Sequence, residues 1–380
     1  MGAGTAILFF SFCCRAEEIS PVSAVFLSKD AVEKELDRFW AERKNQLEEE
    51  TRRELAEEQV RAGGKVLRWA ERVFGDPPPS GRSLWISLHG GGNCPPEVND
   101  QQWQNQIRLY APSEGIVVAP RAPTNDWDLW HQRPIDALLD RLMAAMICAR
   151  GVDPNRIYLL GYSAGGDGVY QLAPRMADRW AAAAMMAGHP NDARPEGLRN
   201  LPFFIFCGGD DSAYDRNKLA AEWGRKLDAL AAADPGGYVH TATIYEKTGH
   251  WMKQRDATAL PLMAAYVRNA WPKKIVWVQD DIIHDCFYWL QRPAGTPKKG
   301  EMIRAAVDGQ RITLESSEVR KVILRLSDAL VDLDRPVEVM AGGKTIFNGL
   351  VSRSADVLRR SLEERADPAS AACAELKVEW

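Results

Sequence analysis

Little in this chain of 380 residues points toward a membrane, a nucleic acid or a metal. No stretch approaches the roughly eighteen consecutive apolar residues that a bilayer-spanning helix needs, so no membrane span is expected. Lys and Arg (48) are outnumbered by Asp and Glu (52), giving a formal net charge of −4. No basic stripe interleaved with aromatics is present, which argues against a nucleic-acid partner. Histidine is scarce, at six residues, and the seven cysteines follow no metal-ligand spacing. Beyond Cys13 and Cys14, the remaining Cys94, Cys148, Cys207, Cys286 and Cys373 are odd in number. They read as small buried apolar residues and not as a disulfide framework. Neither a metal nor a cofactor is expected. The hydrophobic fraction of 46% and charged fraction of 26% are ordinary for a globular protein.

Against this background the segment Gly161-Tyr162-Ser163-Ala164-Gly165-Gly166 stands out. The apolar run Arg156–Leu160 precedes it and the helix-like Val169–Ala173 follows, which places a serine on a sharp strand-to-helix turn. Glycines at 161 and 165 suit that turn, because neighbouring Cβ atoms would collide with the adjoining strand and helix. A second apolar strand, Leu84–Leu88, runs into His89-Gly90-Gly91-Gly92. A glycine loop of this kind lets backbone N–H groups approach a substrate carbonyl and stabilise the negative charge that acyl transfer builds on its oxygen. Gly91, Gly92 and Ala164 are the expected donors, Ala164 because it follows the serine.

An acid and a base follow in chain order. Leu201–Cys207 is a buried strand ending in Gly208-Gly209-Asp210-Asp211, and His240–Tyr245 leads to Gly249-His250. The order Ser163, Asp211, His250 fits one class of triad fold and differs from the orders in the others. Asp211 is preferred over the adjacent Asp210 because it clears the strand end, leaving Asp210 as a loop or capping residue. Of the other histidines, His89 braces the glycine loop, His240 starts a strand, and His284 lies beyond the segment that carries these motifs. His131 and His189 sit in loops able to line a site. Tyr162 and Trp251, beside the nucleophile and the base, are expected to contact substrate. So are Trp127, Trp130 and His131 in the loop 123–131 after a strand end, where pinning the loop to the core is the equal alternative.

On these motifs the chain resembles the α/β-hydrolases, in the secreted esterase branch that includes poly(3-hydroxybutyrate) depolymerases and feruloyl or acetylxylan esterases. The resemblance implies a mostly parallel, doubly wound sheet and a serine hydrolase that cleaves carboxylic esters through an acyl-enzyme. Prolyl-oligopeptidase-type domains share the Gly-x-Ser-x-Gly-Gly elbow, so a serine peptidase is the alternative. Those enzymes carry a propeller ahead of the hydrolase, and the residues before the first core strand are too few for one. A non-catalytic binding protein on the same scaffold would lack part of the triad. The expected partner is a small or polymeric ester, and the sequence assigns no oligomeric state.

Four segments are expected. Residues 1–16 carry an apolar run that reads as a signal peptide, implying a secreted or periplasmic protein. No Lys or Arg precedes the run, and an arbitrary apolar start, implying a cytoplasmic protein, is the other reading. Residues 30–75 read as a charged helix with a thin apolar stripe, packed on the catalytic unit or, alternatively, dimerising as a coiled coil. Residues 76–272 alternate strands and helices as a catalytic α/β unit, and 273–380 form a small β-sandwich-like accessory domain. That last region holds no catalytic cluster. It is expected to brace the hydrolase or to bind carbohydrate or polymer.

Overall fold

Charge repeats at helical spacing carry helix α1 (Lys29–Ala56), with Ser28 accepting a hydrogen bond from the Ala31 N–H at 3.3 Å as its N-cap. The computed structural model describes residues 26–380, and the stretch read as a signal peptide lies outside them. The charged helix was expected to run to residue 75, and the structure corrects this. It ends at Ala56, and strands β1 (Gln59–Ala62) and β2 (Lys65–Phe74) form an antiparallel hairpin. Gly63 and Gly64, at φ +55° and +72°, supply the left-handed pair that a two-residue hairpin turn requires. Leu67 and Trp69 then fall two residues apart on a buried face, while the charged residues between and after them stay nearer solvent. The hairpin joins the catalytic sheet, which therefore begins at Gln59 and not at residue 76.

The remaining elements alternate. Strand β3 (Arg82–Leu88) is followed by α2 (Pro96–Leu109), β4 (Gly115–Arg121), α3 (Arg133–Arg150), β5 (Val152–Tyr162) and α4 (Ala164–Arg175). Then come β6 (Ala182–Met186), β7 (Phe203–Gly208), α5 (Arg216–Ala233), β8 (His240–Tyr245) and the short α6 (Ala259–Ala264). The eight strands pair in the order β1-β2-β4-β3-β5-β6-β7-β8. The antiparallel pairings are β1 with β2 and β2 with β4; β4, β3, β5, β6, β7 and β8 run parallel to one another. Both faces are covered, as the continuous apolar runs require. Leu84, Ile86 and Leu88 enter one core with α3, α4 and α5, while the alternate Trp85 enters a second core closed by α6.

The C-terminal region builds two more sheets. Strands β9 (Lys274–Val278), β10 (Cys286–Phe287), β11 (Leu290–Gln291), β12 (Met302–Asp308), β13 (Arg311–Glu315), β14 (Lys321–Leu326), β15 (Val337–Ala341) and β16 (Lys344–Gly349) are followed by α7 (Ala355–Glu364) and β17 (Ala374–Glu379). They pair as β16-β15-β13-β12-β9 and β10-β11-β14-β17. A turn at Gly342-Gly343, both with positive φ, joins β15 to β16. The buried residues of these sheets are continuous with the larger core of the eight-stranded sheet, so this region packs on that sheet instead of hanging from it. Among the described residues no helix is long and apolar enough to cross a membrane.

Buried charge reinforces that junction. Asp178, beyond α4, accepts from Arg179 Nη1 and from Arg365 Nη2, each at 2.6 Å, and from the Tyr288 N–H at 3.2 Å. Arg268 donates to the Asp178 carbonyl and to Asp367 Oδ2, both at 2.7 Å. Burial alone would push the Asp178 carboxyl up, but Arg179 and Arg365 hold it well below the usual carboxylate range. A depressed folded-state pKa stabilises above the unfolded value of about 4 and loses that stabilisation as pH falls below it. Asp178→Ala is expected to lower stability by about 3 kcal/mol at neutral pH, because two partly buried guanidinium groups lose their fully buried partner. The deficit should shrink as urea denaturation is repeated from pH 4 downward; a deficit unchanged by pH would contradict the pairing.

Candidate active site

The turn from β5 into α4 leaves no room for a side chain at Gly161 or Gly165, two residues to either side of Ser163. A Cβ at Gly161 would lie 2.2 Å from the Gly165 carbonyl oxygen, and one at Gly165 would lie 2.1 Å from that of Leu88. Gly166 is equally tight, at 2.7 Å from the Met186 oxygen. Ser163 itself takes φ 58° and ψ −122°, a conformation that costs an L-residue of order 1–3 kcal/mol and persists only where surrounding structure enforces it. Its N–H donates to the Met186 carbonyl at 2.9 Å, which fixes the turn to β6. The hydroxyl is thereby presented at the carboxyl edge of the sheet.

Loops after β7 and β8 bring the other two groups to it. Ser163 Oγ lies 3.0 Å from His250 Nε2, and His250 Nδ1 lies 2.7 Å from Asp211 Oδ2. The carboxylate accepts from Nδ1–H, which leaves Nε2 free to accept from the serine hydroxyl. Asp211 is buried while His250 is partly exposed, so the acid is screened from solvent and the base is reachable. Asp210 stands exposed and reaches neither His250 nor Ser163; its N–H donates to the Thr248 carbonyl at 2.9 Å. Cys207 packs beneath Asp211, and burial pushes its thiol up to about 12. Tyr162 holds the histidine loop in place: its hydroxyl donates to the His250 carbonyl at 2.6 Å and accepts from the Met252 N–H at 2.9 Å.

The glycine loop follows β3 on the other side of Ser163. Gly91 and Gly92 have φ of +110° and +86°, and Asn93 follows at +47°. Gly91 N–H has no acceptor among the described residues, and Ala164 N–H heads α4, where no intrahelical partner exists. Gly92 was expected as a third donor, and the structure corrects this: its N–H donates to Asn99 Oδ1 at 2.8 Å. His89 braces the loop as expected. It is fully buried, its Nε2 accepts from the Ala122 N–H at 3.0 Å, and burial pushes its imidazole down to about 4, so it is neutral.

A cavity of about 540 Å³ opens over Ser163. Gly90, Gly91, Tyr162, His250 and Trp251 line it, together with Val98, Gln102, Asn105, Gln106 and Leu109 of α2. Strand order, strand direction and a serine on the β5–α4 turn together decide the architecture. The fold is that of an α/β-hydrolase.

No family model matches the chain. Among curated proteins, the chain is similar to the bifunctional acetylxylan esterase/xylanase XynS20E of Neocallimastix patriciarum, with 30% identity over 139 residues, 36% of this chain and 20% of that protein. It is also similar to "Putative esterase NocK" of Nocardia uniformis subsp. tsuyamanensis, with 31% identity over 150 residues, 35% of this chain and 41% of that protein. The chain thus spans less than half the length of these relatives. Similar solved structures include a thermostable esterase, at 21% identity, 55% of this chain, 62% of that chain and a TM-score of 0.41. A ferulic acid esterase matches at 16% identity, 55% of this chain, 95% of that chain and a TM-score of 0.38.

Of the expected substrate contacts, Tyr162 and Trp251 line the cavity over Ser163, and Trp127, Trp130 and His131 do not. Trp130 is fully buried and donates from Nε1 to the His89 carbonyl at 2.9 Å, so its ring pins the loop to the core. Trp127 is exposed, with its ring edge-on to His131 at 5.6 Å. Sequence reasoning missed the wall supplied by α2. Its signal was the Pro95-Pro96 helix start directly after the glycine loop, which commits the next helix to the rim of the site. Gly165→Ala is expected to cost about 3 kcal/mol, because the new methyl meets backbone on the β3 side that cannot yield. A urea midpoint equal to that of the parent would contradict this packing.

Proposed function

We propose that the chain is a serine hydrolase of carboxylic esters, with Ser163 as nucleophile, His250 as general base and acid, and Asp211 as the group that orients it. The observation that carries the reading is the unbroken relay from Asp211 Oδ2 through the His250 ring to Ser163 Oγ, at 2.7 and 3.0 Å, on a strained turn beneath an open cavity. Ser163 Oγ attacks the ester carbon while His250 Nε2 takes its proton. The oxygen that gains charge lies between the N–H groups of Gly91 and Ala164. Collapse expels the alcohol, protonated by His250, and leaves the acyl group on Ser163. Water repeats the sequence and releases the acid. Asp211 remains charged throughout and stabilises the imidazolium.

An ester is favoured over a peptide because both curated relatives are described as esterases. Trp251 and Tyr162 would flank the substrate in the cavity over Ser163. A leader at residues 1–16 would make the protein secreted or periplasmic, and the C-terminal sheets would brace the catalytic unit.

Ser163→Ala is expected to lower turnover of p-nitrophenyl acetate by 10⁴-fold or more, with the melting temperature preserved or raised as turn strain is relieved. Retained hydrolysis in the purified variant would remove Ser163 from the mechanism. Between the adjacent acids, Asp211→Asn is expected to cost on the order of 10⁴-fold by allowing the wrong imidazole tautomer, while Asp210→Asn stays within about threefold. Steady-state kinetics on aryl esters of graded acyl length, beside proline-linked anilides, would rank the two variants and separate esterase from peptidase; the opposite ranking would transfer the orienting role to Asp210.

A further inference from the structure

The glycine loop beside Ser163 is an improbable piece of backbone. Three consecutive residues, Gly91, Gly92 and Asn93, have positive φ, and only two of them are glycine. Such a segment needs outside support to hold one conformation. The support comes from the first turn of α2. Asn99 is fully buried, and its Oδ1 accepts from the Gly92 N–H at 2.8 Å. Its Nδ2 donates to the Cys94 carbonyl at 3.3 Å and to Asn125 Oδ1 at 3.0 Å. Asn125 Oδ1 also accepts from Arg121 Nη2 at 2.5 Å, which fixes it as an acceptor and so fixes which end of the Asn99 amide faces Gly92. Arg121 is buried in turn, with its Nε donating to Asp100 at 2.7 Å and its Nη1 to the carbonyls of Ala122 and Thr124 at 2.7 and 3.1 Å.

We infer that Asn99 is a positioning residue for the oxyanion site: by holding the Gly92 N–H it aims the neighbouring Gly91 N–H at the developing oxyanion. The inference rests on the reading of Ser163 as nucleophile. One amide side chain clamps both sides of the strained turn, at Gly92 N–H and at the Cys94 carbonyl. The fit is close on the loop side as well, since a Cβ at Gly91 would lie 2.2 Å from Asn99 Oδ1. Without the clamp the Gly92 N–H loses its acceptor, and the peptide before it is free to rotate. Rotation would turn the Gly91–Gly92 segment away from the geometry that Ser163 needs. Because the donor acts on charge that exists only in the transition state, the loss belongs in kcat and not in KM.

The test uses the full chain and two probes. Asn99→Leu keeps the volume and deletes all three hydrogen bonds. Its expected effect is a fall in kcat for p-nitrophenyl acetate on the order of 10²-fold with KM within about threefold, the size of losing one oxyanion donor. The rate at which a fluorophosphonate labels Ser163, read by intact mass, should fall in parallel, since Oγ–P bond formation with loss of fluoride places negative charge on the same oxygen position. Asn99→Asp keeps the acceptor for Gly92 and is expected to recover about tenfold of both rates. A role in general stability alone would lower the melting temperature of Asn99→Leu without moving either rate in the folded protein, and that result would overturn the inference. Should Asn99→Leu not fold, Asn99→Asp and Asn125→Ala decide: labelling by both at the parent rate overturns it, and a several-fold loss in Asn125→Ala supports it. A parent protein that labels at Ser163 yet hydrolyses no ester would end the ester reading alone, and the ratio of labelling rates would still decide the role of Asn99.

Discussion

The contact on which the rest of this structure depends is the collision-free crossing of backbone at Gly161, Ser163 and Gly165. Strand β5, the turn and α4 approach β3 and β6 so closely that a single methyl at either glycine would overlap a carbonyl oxygen. That closeness sets the position of α4 relative to the sheet, and with it the direction of the Ala164 N–H. It also forces Ser163 into a conformation that its neighbours must maintain. A serine elsewhere on the same sheet edge could carry the same hydroxyl without presenting it to three loops at once.

Those loops are rigid for different reasons. The histidine loop is held by the Tyr162 hydroxyl, which is fully used between the His250 carbonyl and the Met252 N–H. The glycine loop is held by amide and guanidinium groups buried behind it and by a neutral His89. Each buried polar group there has partners, so the low local dielectric strengthens the network instead of penalising it. Trp130 closes the arrangement from below.

The C-terminal sheets belong to the same mechanical unit. Their buried side chains continue the hydrolase core, and the Asp178, Arg179, Arg365, Arg268 and Asp367 set crosses the junction with its charges paired. Buried pairs of this kind add little net stability over apolar packing but are costly to break singly, which favours one docked arrangement over others. His284 adds a further link, with Nε2 at 2.7 Å from Asp136 Oδ2. The C-terminal sheets are therefore joined to the eight-stranded sheet by both apolar packing and paired charge.

The sequence by itself determined the alternation of strands and helices, the elbow at Ser163, the glycine loop and the order of acid and base. These are local properties: apolar runs, turn residues and close-approach glycines act on their immediate neighbours. It misjudged the hairpin 59–74, because charged residues on the less buried face concealed the two-residue spacing of Leu67 and Trp69. It preferred Asp211 over Asp210 on its distance from the strand end alone. Only the tertiary structure decided that Asp211 faces His250, that Gly92 gives its N–H to Asn99, that Trp130 is core, and that α2 walls the cavity. Each of those outcomes depends on where a side chain points once segments distant in the chain have packed, and a spacing pattern holds no information about that direction.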